Sequence, residues 1–278
     1  MPFVTRSDNA RIYYAIHGED GPAVVLIQGL GLSSRFWFDI PERLTRDAAT
    51  PRRVIAIDNR GTGKSSRPRP PWTAATMADD VAAVLDDANI TDAIVVGISM
   101  GGMIAQQLAL RHRERVRGLV LLATTPGFLA GAFPNVASIY RLLSLPFGGR
   151  RASVNLIRLL LPRSKWSHAR EIFRDWPVAM RDDPTLRRTF AAHVFAASTH
   201  FVAPRLSRIE CPVIVVTGAD DALVPKQNSE ALARRLPRAE LEVLPNTGHA
   251  VFAEDRDLVH RMVVRIEQAL AREGERAA

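Results

Sequence analysis

Cysteine is almost absent: Cys211 is the only one in 278 residues. A lone cysteine excludes an internal disulfide and a zinc site built from several thiolates. Long apolar runs are missing too. Stretches such as Ala93–Val96 and Leu119–Ala123 fall far short of the roughly 18 residues of a spanning helix. The N-terminal stretch, MPFVTRSDN, lacks the apolar segment of a secretory signal. No repeat or low-complexity tract stands out. These absences predict a cytoplasmic protein without a membrane span. A chain of this length, 47% hydrophobic and 24% charged, can bury a substantial core without disulfide or metal staples.

Acidic residues are scarce in one part of the chain. The whole carries a net charge of +8, but residues 127–209 hold thirteen Lys/Arg against four acids, a net +9. The remainder holds 24 against 25, a net −1. The arginines are scattered among Leu, Phe and Trp rather than gathered in a run, so nucleic-acid binding is not expected. The simplest reading is the solvated faces of amphipathic helices. A sharper one is a positive surface near an entrance, which would favour an anionic small-molecule substrate.

Short β-branched runs alternate with helical stretches, the pattern of a largely parallel sheet covered by helices. Arg11–Ile16 reads as an early antiparallel strand. Ala23–Gln28, Arg53–Ile57, Ala93–Val96, Val116–Leu122, Pro212–Val216 and Glu240–Val243 read as further strands. Helices are expected at Thr76–Ala88, Gly102–Arg111, Gln227–Leu236 and from Arg256 to Arg272. Between 127 and 209 only helical fragments occur: Ser138–Leu145, Val154–Leu160, Ala169–Trp176 and Thr185–Ser198. This divides the chain into an α/β core, 1–126 and 210–278, and an inserted helical cap at 127–209. Trp166, Trp176, Phe190, Phe195 and Phe201 are expected mostly to form the cap's own small core, with a few facing the substrate.

The chemistry concentrates around Ser99. Residues 93–102, AIVVGISMGG, place a G-x-S-x-G motif between a strand and a helix. A turn that sharp requires small residues at Gly97 and Gly101. It would expose the Ser99 hydroxyl beside the free N–H groups of a helix start. A serine alcohol needs a base. Of seven histidines, His249 alone follows a core strand, in a loop opening at the same sheet end as Ser99. A histidine base needs an acid to fix its tautomer. Asp220 and Asp221 both follow strand 212–216 at the right end of the sheet. The loop after Val116–Leu122, the other plausible position, holds no carboxylate.

The chain resembles an α/β-hydrolase of the esterase/lactonase/haloperoxidase-like group, along almost its whole length outside the insertion. LIQGLG at 26–31 resembles the family's oxyanion loop, DNRGTGKS at 58–65 its D-x-R-G-x-G-x-S loop, and GADDALVP at 218–225 its acid loop. The resemblance implies an eight-stranded, mostly parallel sheet with helices on both faces. It assigns the acid to Asp221, three residues after the glycine, and the oxyanion donors to the backbone N–H groups of Leu30 and Met100. It also implies a serine hydrolase acting on a small-molecule carboxylic ester, with no cofactor and no metal. Lactonase, thioesterase, carbon–carbon bond hydrolase and perhydrolase chemistry would use the same residues, and a non-turnover ligand receptor is the alternative class. Gln28 departs from the family pattern, which has histidine there.

Two features carry bland readings. GTGKS at 61–65 resembles the end of a phosphate-binding loop, but Asp58 stands where that motif needs glycine and no helix follows. Cys211 reads as inert packing. Met100 and Met103 are candidates for the acyl pocket, and Phe36, Trp37 and Phe38 for its wall or for helix packing.

Overall fold

The computed structural model describes residues 2–46, 51–183 and 187–277. In chain order the elements are β1 (Phe3–Thr5), β2 (Arg11–His17), β3 (Ala23–Ile27), α1 (Ile40–Thr45), β4 (Arg53–Ile57), α2 (Ala74–Asp87), β5 (Ala93–Ile98), α3 (Met100–Arg111) and β6 (Val116–Leu122). Five helices follow without a strand: α4 (Val136–Ser144), α5 (Gly149–Leu160), α6 (Ala169–Ile172), α7 (Trp176–Asp182) and α8 (Arg187–Ser198). The chain closes with β7 (Val213–Gly218), α9 (Gln227–Ala233), β8 (Ala239–Leu244), α10 (Val251–Glu254) and α11 (Leu258–Ala277). Residues 185 and 186, the first of the helix expected at 185–198, lie outside the described residues.

The eight strands form one sheet in the order β1-β2-β4-β3-β5-β6-β7-β8. β1 and β2 pair antiparallel and all pairs from β4 to β8 are parallel. The central strands read as continuous apolar runs because both faces of the sheet are covered. Val25, Val95, Leu119 and Val215 pack into one cluster with α2 and α3. Their neighbours Val24, Ile94, Val120 and Ile214 pack into another with α11, which turns Leu258, Val259, Met262, Val263 and Ile266 inward. That spacing is one helical stripe facing the sheet. α2 starts where Thr73 and Thr76 cap each other reciprocally, satisfying two otherwise orphaned N–H groups.

The strand order reverses beside β3. β4 lies on one flank of β3 and β5 on the other. The loops leaving the C-terminal ends of β3 and β5 therefore part in opposite directions and leave a crevice between them. The expected loop at 58–65 braces this end. The Asp58 carboxylate accepts the N–H groups of Ser34 and Lys64, both at 2.8 Å. The Lys64 ammonium sits 4.4 Å from the centre of the Tyr13 ring. No helix begins between this loop and α2, so the segment lacks a phosphate cradle. Among the described residues no helix is long and apolar enough to cross a membrane, and no cluster could hold a metal ion. Burial pushes the Cys211 thiol up to about 11, in keeping with inert packing.

The helices between β6 and β7 do not form a self-contained core. Phe173 and Trp176 pack instead against Phe36 and Ala250 of the sheet domain, with Trp176 and Phe36 ring centres 5.2 Å apart. Trp166, Phe195 and Phe201 remain exposed. Of the five aromatics expected to pack together, Trp176 joins this shared cluster, and Phe190 is buried outside it. Trp37 is fully buried against Phe252, a packing role.

Candidate active site

Ser99 stands alone between β5 and α3, at φ 54° and ψ −119°. A non-glycine residue in the left-handed region is strained, and here the surroundings enforce it. A Cβ on Gly97 would come 2.4 Å from the Gly101 carbonyl oxygen, and one on Gly101 would come 2.1 Å from that of Ile27. Both contacts are impossible for a side chain, so only glycine lets the helix start fold this tightly onto β3 and β5. Ser99 N–H donates to Leu122 O at 2.8 Å. Ser99 O accepts from Thr124 Oγ1 at 2.7 Å and from Gly102 N–H at 3.0 Å. Ser99 is left half-buried and lines a cavity of about 380 Å³.

His249 lines the same cavity from the loop after β8. Its Nδ1 lies 2.7 Å from Asp221 Oδ2. A carboxylate only accepts, so Nδ1 carries the proton and Nε2 is the ring's free acceptor. The other Asp221 oxygen accepts the N–H groups of Leu223 and Val224, each at 2.8 Å. These bonds fix the carboxylate in a buried position. Asp220 is exposed. The loop after β7 thus turns Asp221, and not its neighbour, toward the histidine. Glu254 steadies the loop after β8 by accepting the Gly248 N–H at 2.9 Å.

Leu30 lines the cavity on the loop after β3. Gly29 brings that loop against the serine, since a Cβ there would sit 3.3 Å from Ser99 Cβ. Met100 is the first residue of α3, so its N–H lies outside the helix's own ladder and at the positive end of its dipole. The side chains of Met100 and Met103 are buried in the sheet core, not in the cavity wall. Gln28 folds back on its own loop, its Oε1 accepting the Gly29 N–H at 3.1 Å.

Sequence reasoning missed His193 of α8. Its Nδ1 accepts the Gly31 N–H at 3.0 Å, and its Nε2–H donates to Arg60 O at 2.9 Å. Arg60 is itself clamped by Asp80 through two bonds of 2.6 Å. One buried imidazole therefore ties the loop after β3 to the loop after β4. The Gly31 bond needs the neutral ring, and burial lowers the ring's pKa to about 4 from 6.5. The unfolded chain takes up this proton near pH 6.5 and the folded chain does not. The stabilisation is therefore complete above pH 6.5 and is lost as the pH falls toward 4. Melting temperatures should drop across that window. His193→Gln can keep both hydrogen bonds but cannot titrate, so its slope should be shallower. Identical slopes in the two proteins would exclude this role.

Apart from Ser153 the remaining wall is apolar, with Leu142, Leu145, Leu156, Leu160, Phe190 and Phe252 among its residues. Among the described residues no Asp, Glu, Lys or Arg lines the cavity. The arginines of residues 127–209 do not reach the reacting end, so the expected preference for an anionic substrate finds no partner in these walls.

A family model described as the alpha/beta hydrolase fold matches residues 22–256. A protein of Azorhizobium caulinodans bearing the name carbamate hydrolase RutD is 32% identical over 95% of this chain and 97% of its own. A hydrolase from Pseudomonas aeruginosa superposes with a TM-score of 0.78 at 26% identity, covering 95% of this chain and 97% of that one. An enzyme described as degrading N-acyl homoserine lactones gives 0.76 at 29% identity, covering 94% and 98%.

Proposed function

This chain is a hydrolase of the α/β-hydrolase family, and from that premise we propose that it cleaves an uncharged, apolar carboxylic ester through an acyl-enzyme. One observation carries the reading. Ser99, strained at its turn, shares a cavity with a histidine whose far nitrogen is fixed by a buried carboxylate. His249 Nε2 takes the hydroxyl proton as Ser99 Oγ attacks the carbonyl carbon. The negative charge that forms on the carbonyl oxygen is held by the N–H groups of Leu30 and Met100. The alcohol leaves with the proton from His249. Water then attacks the acyl-enzyme, gives its proton to the same nitrogen, and the acid is released as Ser99 recovers its hydrogen. Asp221 keeps the ring in one tautomer and stabilises it when charged. The helices of 127–209 act as a cap, supplying Leu142, Leu145, Leu156 and Phe190 to the acyl site.

The walls argue for the substrate class. A volume of about 380 Å³ lies within the range of small-molecule sites, and burying each further methylene of an acyl chain gains about 0.8 kcal/mol. A carboxylate in such a wall would lose its hydration with no cation to replace it. The relatives named for a carbamate and a lactone place those carbonyls beside esters as test compounds. In a panel varying acyl length, alcohol size and charge, kcat/KM should rise with apolar acyl length. Matched carboxylate-bearing esters should be poorer at both low and high salt. A preference for charged or very small acyl groups would reject this substrate class. A single turnover without sustained hydrolysis would favour a ligand receptor.

A further inference from the structure

The outer surface of α4 and α5 carries an apolar stripe that the described residues leave largely uncovered. On α4, Val136, Ile139, Tyr140 and Leu143 follow the i, i+3, i+4, i+7 spacing of one helix face. Such a face ordinarily packs against a core. Here Val136 is 83% exposed, Leu143 50%, and Phe147 just beyond the helix 69%. The opposite side of the same helices is also apolar, and there Leu142, Leu145 and Leu156 line the active-site cavity. Asn155 Nδ2 donates to Ser144 Oγ at 2.8 Å, locking α5 to α4. The two helices present one preformed face.

The charges along this stretch of chain have one sign. Residues 127–170 contain seven Arg/Lys and no Asp or Glu. Tyr140 and Val154 share an outer groove with Arg150, Arg151 and Arg158. We propose that the outer face of α4 and α5 docks on an anionic lipid surface. Exposed aliphatic and aromatic side chains enter the acyl boundary, while the guanidinium groups pair with lipid phosphates. Other occupants fit less well. A second copy placed symmetrically on this face would bring its cations against the same cations. A nucleic acid would find Val136, Ile139 and Leu143 where phosphate or base contacts are needed. Docking leaves the cavity about one helix diameter, ~10 Å, from the lipid. The inference concerns this face alone and does not depend on the reaction at Ser99.

Vesicle sedimentation tests it with the whole protein. Vesicles of equal parts phosphatidylcholine and phosphatidylglycerol should bind the protein, and phosphatidylcholine alone should not. High salt should release it. Arg150→Glu with Arg151→Glu should weaken partitioning by about thirtyfold or more, from two charges near the surface. Val136→Asp with Leu143→Asp should do so independently. None of these four residues lines the cavity, so hydrolysis of a soluble ester should be unchanged in both double variants, which also reports their folding. The proposal fails if neither vesicle binds, if both bind equally, or if the folded variants still bind. A concentration-dependent dimer that the variants abolish would assign the face to a second copy and overturn it. Retention on duplex DNA lost in the same variants would overturn it likewise.

Discussion

Ser99→Ala is expected to lower kcat by about a million-fold, the scale of losing the nucleophile in a comparable triad, with the fold and ligand binding retained. The structural cost should be small because the hydroxyl does not hold the turn. The turn is held by Ser99 N–H to Leu122 O, by Thr124 Oγ1 to Ser99 O, and by the glycines that admit the close backbone approach. Alanine meets the same left-handed φ and presents the same Cβ to Gly29. Measured against the best ester of the panel, the variant should bind substrate with nearly unchanged affinity and fail to release alcohol. A folded Ser99→Ala protein that turns over at a substantial fraction of the original rate would remove the proposed mechanism, whatever the substrate.

Much of this frame was legible in the residues because one physical constraint wrote both sequence and structure. A sheet covered on both faces needs apolar residues without alternation, and β3 to β7 read that way. β1 was not legible: three residues, none buried, give no pattern. The start of α3 was placed two residues late because Gly101 and Gly102 are poor helix formers. They are there for the close contacts their backbones make, which propensity does not report. The Ser99 turn was legible since its glycines are that same constraint seen in sequence.

The helices after β6 show where sequence reading stops. Periodicity tells which face of α4 is apolar, but not whether anything covers it, and the stripe from Val136 to Leu143 is left uncovered. Composition gave the excess positive charge of 127–209, but not its direction: Arg150, Arg151 and Arg158 line an outer groove, not the cavity. His193 was invisible as a support because its partner Gly31 lies 162 residues away in the chain. No local signal marks a contact made only by folding. Asn59 was nearer to hand: it sits in the 58–65 loop that the family resemblance marks, and its Nδ2 donates to Gln28 O at 3.0 Å.

Asp221→Asn should lower kcat by about ten-thousand-fold, whereas Asp220→Asn should stay within a few-fold of the unmodified protein. The two carboxylates are adjacent in sequence and opposite in environment. Asp221 is buried, with one oxygen on His249 Nδ1 and the other on two backbone N–H groups. Asp220 is exposed, and the bond that anchors it is its backbone N–H to Thr247 O at 3.0 Å, which asparagine keeps. Asparagine at 221 can still accept the Leu223 and Val224 N–H groups through its carbonyl oxygen. Its amide then faces Nδ1 as a donor, so the ring must place its own proton on Nε2. That nitrogen is the one required to accept the Ser99 proton, and the loss should therefore appear in kcat with little change in KM. Lowering the pH would not restore it, since protonating the ring removes the remaining acceptor. Comparing pH–rate profiles of the two variants separates this tautomer effect from a folding defect, which would lower active-site concentration without changing the profile of the surviving enzyme. If Asp220→Asn is instead the damaging change, the acid has been assigned one residue too late and the 2.7 Å contact at Asp221 is structural.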